Sequence, residues 1–163
     1  MPRGLLLTHP RIRVFDRPRT FVVRRDGLDL ALSGFPFAPD ARTSFPALLA
    51  ATGHADAAAD VRLLCLHQAV EGARVGPAGF AAVPSGHIHR SQALSRDLAG
   101  RPLASPVLFA GSTDRTSFAE RNEPKGTFLI DLERMDRGGT AAWEFRQLPV
   151  RPMVDLELDP GDD

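Results

Sequence analysis

Two short apolar runs, each followed by histidine, constrain the fold of this chain more than any other feature. Residues 61–66 (VRLLCL) are apolar apart from one arginine and lead directly into His67. Residues 80–83 (FAAV) form a weaker run that stops at Pro84, just before a pair of histidines. Apolar runs of this length without strict alternation are typical of buried strands in α/β sheets. We therefore expect two neighbouring strands that end at one edge of a sheet.

The segment SGHIHR, residues 85–90, contains the pair of histidines. Gly86 permits a sharp backbone turn before them, and in an extended backbone His87 and His89 point to the same side. Because ligand sites in open α/β sheets lie beyond the carboxyl ends of strands, we expect His67 to join them in one cleft. Three such histidines suit zinc, manganese or iron. The other two histidines of the chain are interpreted as ordinary polar residues.

The remaining patterns predict a strand-rich chain with little helix. Residues 44–51 are the best helix candidate, with Ser44 as N-cap, Pro46 in the first turn and Gly53 after the end. Residues 21–23 and 28–32 are predicted to form a hairpin through Asp26 and Gly27. Four further strands are predicted, at residues 107–110, 127–132, 141–148 and the alternating residues 154–158.

Composition limits size, partners and location. With 163 residues and 43% hydrophobic content, the chain is expected to form one domain with its own core. Its 20 basic and 20 acidic residues argue against a generic electrostatic surface for nucleic acid. No apolar run approaches the ~20 residues that cross a bilayer, and the apolar stretch near the N-terminus is too short for a signal peptide. The single cysteine, Cys65, excludes an internal disulfide, so we expect a cytoplasmic protein.

Three motifs carry a resemblance to a known family. They are LHQ at residues 66–68, SGHIHR at residues 85–90 and GSTDRTSFAE at residues 111–120. Together they resemble the later half of a calcineurin-like metallophosphoesterase, and within that superfamily the bacterial DNA repair exonucleases of the SbcD type. The resemblance extends from about residue 7 to about residue 158. It implies an α/β fold, a metallophosphoesterase-like α/β sandwich represented by its strand-rich C-terminal portion.

The resemblance also implies domain limits, ligands and partners. Residues 1–158 would be the C-terminal part of a single phosphoesterase domain, and residues 159–163 a disordered acidic tail. The complete family site holds two divalent metal ions, with manganese expected. The implied partners are DNA, a separate N-terminal half or an ATPase subunit, and a second copy of the chain, with no membrane.

Residue by residue, the resemblance assigns His67 and His87 to one metal and His89 to the other. Ser112 and Arg115 fall on the loop after residues 107–110, where they would approach a substrate phosphate; an ordinary polar loop is an equally good interpretation. Three charged residues that follow are interpreted as solvated turn residues: Glu120, Arg121 and Lys125.

The departures from the family are as informative as the match. In the family, three motifs precede the segments that match here: Asp-x-His, Gly-Asp and Gly-Asn-His. They supply the bridging aspartate, further metal ligands and the histidine that aids leaving-group departure. None of them precedes the matching segments in this chain. The only Gly-Asp lies in the acidic tail, at residues 161–162. A two-metal centre needs a bridging carboxylate between ions about 3.5 to 4 Å apart. This chain therefore carries half of a catalytic centre, whether the other half is encoded separately, lost by truncation or excluded by a misassigned start.

Three functions follow from this ligand inventory. The first is a metal-dependent phosphoesterase that acts as a DNA repair exonuclease. In this function the chain supplies only the second cluster of metal ligands, and the chain alone is inactive. The second is a catalytically inactive truncated remnant that binds a metal or a protein. The third, a mononuclear three-histidine zinc hydrolase, ranks last because the sequence has no evident carboxylate beside the histidines.

Overall fold

The computed structural model describes residues 12–68, 77–97, 99–135 and 139–157. The predicted acidic tail, residues 159–163, lies outside these ranges. The elements in chain order are β1 (Arg19–Arg25), β2 (Leu28–Gly34), α1 (Ala41–Ala51), β3 (Val61–Cys65), β4 (Val83–Ser85), β5 (Gln92–Arg96), β6 (Pro102–Phe109), a 3-10 turn (Phe118–Glu120), β7 (Gly126–Met135) and β8 (Ala141–Gln147).

The first six strands form two ladders that meet at β3 and β4. The ladder orders are β1-β2-β3 and β4-β6-β5. Parallel bridges from Leu63 to Ala82 and from Leu66 to Ser85 join them. Strands β2, β3, β4 and β6 are mutually parallel, whereas β1 and β5 are antiparallel to their neighbours. The carboxyl ends of the parallel strands therefore meet at one edge, as the two apolar runs predicted.

Local sequence explains the first hairpin. Strands β1 and β2 pair antiparallel, with Arg25 opposite Leu28. The two intervening residues, Asp26 and Gly27, have φ angles of 50° and 83°. Tight two-residue hairpin turns of type I′ require positive φ at both positions, and Asp-Gly is among their preferred sequences. The predicted hairpin is confirmed, and each of its strands is longer than expected.

Both faces of the sheet are covered. Leu64 of β3 belongs to a cluster with Phe35 and with Phe45 of α1. Leu63, which points to the opposite face, belongs to a second cluster against which Phe128 of β7 packs. Strands β7 and β8, which overlap the predicted strands 127–132 and 141–148, pair antiparallel with each other. The described chain is thus a strand-rich mixed-sheet structure with one helix, compatible with an α/β class.

The helix prediction was partly wrong. Helix α1 begins at Ala41 with Asp40 as its N-cap residue, rather than with Ser44 as the cap. The Ser44 hydroxyl donates instead to the Asp40 carbonyl at 3.0 Å, inside the first turn. Pro46 consequently lies within the helix. Gly53 follows the helix end with φ of 67°, which agrees with its predicted role.

The last predicted strand is also wrong over residues 154–157. Residues 154–157 have no regular secondary structure, and residue 158 lies outside the described ranges. Val154 and Leu156 are strongly exposed, so the alternating pattern has no apolar surface to cover. Strand β5 was not predicted. Within the described ranges, no helix has the length and apolar character needed to span a membrane.

Leucine truncation tests the two-faced core. Leu64 is 0% exposed, whereas Leu129 of β7 is 45% exposed. We expect Leu64→Ala to lower the free energy of unfolding by about 2 to 5 kcal/mol, because it leaves a cavity in the core. The matched change Leu129→Ala should cost less than about 1 kcal/mol. Urea unfolding followed by circular dichroism measures both, and equal losses would contradict this core.

Candidate functional site

His67 and His87 meet at the carboxyl ends of β3 and β4. Their ring centroids are 5.6 Å apart, with the ring planes at 83°. The Gly86 N–H donates to the Leu66 carbonyl at 3.0 Å, which extends the pairing of the two strands up to the site. A Cβ atom on Gly86 would lie 2.6 Å from Nδ1 of His67. Glycine is therefore needed at position 86 to admit the His67 ring.

The backbone at His87 is left-handed. Its φ angle is 80°, an uncommon value for a residue other than glycine. The ring stacks on Phe37, with centroids 5.6 Å apart and an interplanar angle of 21°, and Phe37 is itself exposed. Strand β4 ends at Ser85, so the extended backbone assumed for the histidine pair is absent at His87. Such strain is found preferentially at functional sites.

His89 makes different contacts from the other two histidines. Its Nδ1 atom lies 3.0 Å from Oε1 of Glu120 and 3.2 Å from Oγ1 of Thr116. Its side chain is 57% exposed, whereas that of Glu120 is almost covered. Metal-binding histidines commonly donate their second ring N–H to a carboxylate of this kind. The expectation that no carboxylate lies beside the histidines is therefore wrong.

Glu120 is held by several donors at once. Oε2 accepts from the Thr116 N–H at 3.1 Å and pairs with Nζ of Lys125 at 2.9 Å. The Thr116 hydroxyl donates to Oε1 at 3.0 Å. Glu120 is the last residue of the 3-10 turn, which folds its carboxylate back towards the loop that holds His89.

Lys125 is fully buried. It is 0% exposed, and its ammonium contacts Glu120, Glu123 at 3.0 Å and the His89 carbonyl at 2.9 Å. Three acceptors match the three N–H donors of an ammonium group. The interpretation of Glu120 and Lys125 as solvated turn residues is wrong, while Arg121 is indeed exposed. One feature of the sequence sets Lys125 apart from the other basic residues, since it is the only lysine of the chain.

The pair is ionised at neutral pH. The hydrogen bond from Lys125, followed by that from the Thr116 backbone, lowers the pKa of Glu120 to about 2, although burial opposes this shift. Burial acts to lower the pKa of Lys125, but the hydrogen bonds and charges of Glu120 and Glu123 raise it overall. The site therefore holds a stable positive and a stable negative charge behind His89.

The loop after β6 packs against the backbone of His89. The Ser112 N–H donates to the His89 carbonyl at 3.1 Å, and a Cβ atom on Gly111 would lie 2.6 Å from the same oxygen. Arg115 donates instead to the Arg151 carbonyl at 2.7 Å. The Ser112 hydroxyl and the Arg115 Nε are buried and have no hydrogen-bond partner among the described residues. Ser112 thus lies beside His89, while part of the Arg115 guanidinium is already engaged.

A cavity of about 310 Å³ lies between the ends of β3 and β4 and strand β7. Its lining is mainly apolar and consists of Leu66, Pro84, Ser85, Gly86, Leu108, Ala110, Thr127, Phe128 and Ile130. None of the described residues that line it is a lysine or an arginine, so these residues offer no cationic group to a phosphate.

The histidines fit only part of a metal site. His67 and His87 come together as a two-nitrogen pair, whereas Nδ1 of His89 is directed to Glu120. In the portion of the chain that the structure describes, no group of three histidine, cysteine, aspartate or glutamate side chains is arranged to hold an ion. The expected cluster of three imidazoles is not formed. A complete site would need ligands in addition to the pair.

The sequence matches no protein-family model, and a comparison with curated proteins gives no significant match. The resemblance to metallophosphoesterases consequently rests on the three motifs.

Acid unfolding tests the ionised pair. A carboxylate whose pKa falls from 4.5 to about 2 on folding stabilises the protein above its unfolded pKa, and this contribution is lost as the pH falls through that interval. We expect Glu120→Gln to reduce the acid dependence of stability between these two values. Glu144→Gln, which changes an exposed ion pair, should leave it nearly unaltered. Urea titrations at several pH values provide the measurement, and parallel curves for parent and Glu120→Gln would contradict the assignment.

Proposed function

We propose that this chain supplies one cluster of metal ligands to a metal-dependent phosphoesterase that cleaves the phosphodiester bonds of DNA. The observation that supports this most strongly is the His67 and His87 pair at the ends of adjacent parallel strands, with ring centroids 5.6 Å apart. Neutral imidazoles from two neighbouring strand ends form a chelating pair for a divalent transition metal. Manganese is the proposed metal.

Other parts of the site fit this proposal. His89 carries a buried carboxylate behind its ring, as metal-binding histidines commonly do. Ser112 lies against the His89 backbone, with a buried hydroxyl that has no partner among the described residues. In the proposal, Ser112 and Arg115 contact the substrate phosphate, although Arg115 must then exchange its bond to the Arg151 carbonyl.

The proposed enzyme requires more than this chain offers. Two divalent ions in such a centre activate water and stabilise the oxygens of the displacement. The residues of this chain contribute nitrogen ligands and their support, while the bridging carboxylate and the leaving-group histidine must come from a segment with Asp-x-His, Gly-Asp and Gly-Asn-His. We propose a separate N-terminal half as the source of that segment, and an ATPase subunit as a partner of the enzyme.

An inactive metal-binding or protein-binding module is the alternative function. The absent motifs favour it, because two clustered imidazoles without a bridging carboxylate bind a metal but do not assemble a two-metal centre. The mononuclear three-histidine hydrolase gains a supporting carboxylate in Glu120, yet its three imidazoles do not form one group in the described part of the chain.

Metal titration tests the ligand pair. We expect the purified chain to bind one divalent transition metal weakly and His87→Ala to abolish this binding. His54→Ala is the matched control, because His54 packs on Phe80 and its Nδ1 contacts the Leu49 carbonyl. Calorimetric titration with manganese and zinc measures the affinities. If His87→Ala binds as well as the parent, the pair is not the metal site.

A nuclease assay tests the catalytic proposal. The chain alone should not cleave DNA, whereas a fusion protein that adds the three missing motifs should gain manganese-dependent activity. Two-metal stabilisation supplies several kcal/mol to the transition state, and each ~1.4 kcal/mol is tenfold in rate. Cleavage of end-labelled DNA under single-turnover conditions is the measurement. A fusion protein that folds, binds two metals and remains inert would favour the inactive module.

A further inference from the structure

The contacts of Glu120 determine what its neighbour His89 can present to a ligand. Oε2 pairs with the Lys125 ammonium at 2.9 Å and accepts from the Thr116 N–H. Oε1 accepts from the Thr116 hydroxyl and lies 3.0 Å from Nδ1 of His89. A carboxylate held between an ammonium and two further donors has no proton of its own to offer. The Nδ1 atom of His89 must therefore be the donor in this contact.

We propose that Glu120 and Lys125 are positioning residues for His89, which hold its imidazole with the proton on Nδ1 and an unprotonated Nε2 available outside. The side-chain exposure of 57% is consistent with this orientation, since the inner part of the ring is occupied by Glu120 and Thr116. A neutral imidazole fixed in this way has one free lone pair, which accepts a proton or binds a metal.

Lys125 positions His89 in a second way. Its ammonium donates to the His89 carbonyl at 2.9 Å, while the Ser112 N–H donates to the same oxygen at 3.1 Å. The backbone of His89 and the carboxylate behind its ring are thus tied to one buried cation. Since Lys125 is 0% exposed and its three donors are all engaged, this arrangement has little freedom to rotate.

The assignment of the proton concerns this chain alone, but a metal at Nε2 rests on the proposed function. Supporting carboxylates typically change metal affinity by about 10- to 100-fold when they are replaced. Glu120 and Lys125 both reach His89 from the segment after β6. Glu120 thereby connects the third motif, residues 111–120, to the histidine pair of the second motif.

Nitrogen-15 spectroscopy of the histidine side chains tests the proposal. Two-bond proton–nitrogen spectra of the full chain, in mildly alkaline buffer, distinguish a protonated from an unprotonated ring nitrogen. We expect the parent to carry the proton on Nδ1 of His89. In Glu120→Gln the amide oxygen should turn to Lys125 and the amide NH₂ to His89, which transfers the ring proton to Nε2. Glu123→Gln, which alters a Lys125 contact without touching His89, should retain the parent pattern.

The outcomes are distinct. A parent protein with the proton on Nε2 would overturn the proposal by itself, even if Glu120→Gln does not fold. A folded Glu120→Gln variant that keeps the proton on Nδ1 would also overturn it. Zinc addition then examines the proposed function separately. A zinc-induced shift of the His89 Nε2 resonance supports a metal at this ring, whereas its absence removes His89 from the metal site and leaves the proton assignment intact.

Discussion

The buried ion pair between Lys125 and Glu120 is the interaction on which the site depends. It lies where three segments converge: the loop that carries His89, the 3-10 turn and the start of β7. Charges buried in this way are tolerated only when their remaining hydrogen-bonding positions are filled, and here they are filled by Glu123, Thr116 and the His89 carbonyl. Loss of Lys125 would leave the carboxylate of Glu120 without its ammonium partner, whereas loss of Glu120 would leave Lys125 paired with Glu123 alone.

The two kinds of histidine environment differ in origin. His67 and His87 are brought together by the parallel register of β3 and β4 and by the open space at Gly86. His89 is instead oriented by side chains from the later part of the chain. The left-handed backbone of His87 separates these environments, because it breaks the alternation that would have turned both rings to one side.

Local sequence patterns predicted most of the strands and the edge of the sheet at which His67 and His87 lie. The apolar runs predicted β3 and placed β4 slightly early, at residues 80–83 instead of Val83–Ser85. Asp26 and Gly27 predicted the first turn, since such signals act over a few residues. The burial of Glu120 and Lys125 depends on neighbours distant in sequence, since both contact His89. No spacing rule supplies such tertiary contacts. The fold family and the catalytic role therefore remain predictions, while the strand-rich mixed sheet is established.

The order of the strands has a consequence for how the site assembles during folding. The bridges between β3 and β4 join residues 19 positions apart, so the contact between His67 and His87 closes a shorter stretch of chain than the contacts that support His89. The support of His89 requires residues 31 and 36 positions further along the chain, after β6 has entered the sheet between β4 and β5. Contacts at larger sequence separation carry a greater entropic cost of loop closure. Because each doubling of loop length costs only about 0.6 kcal/mol, the contacts that support His89 carry only slightly more chain entropy cost than the contact between His67 and His87.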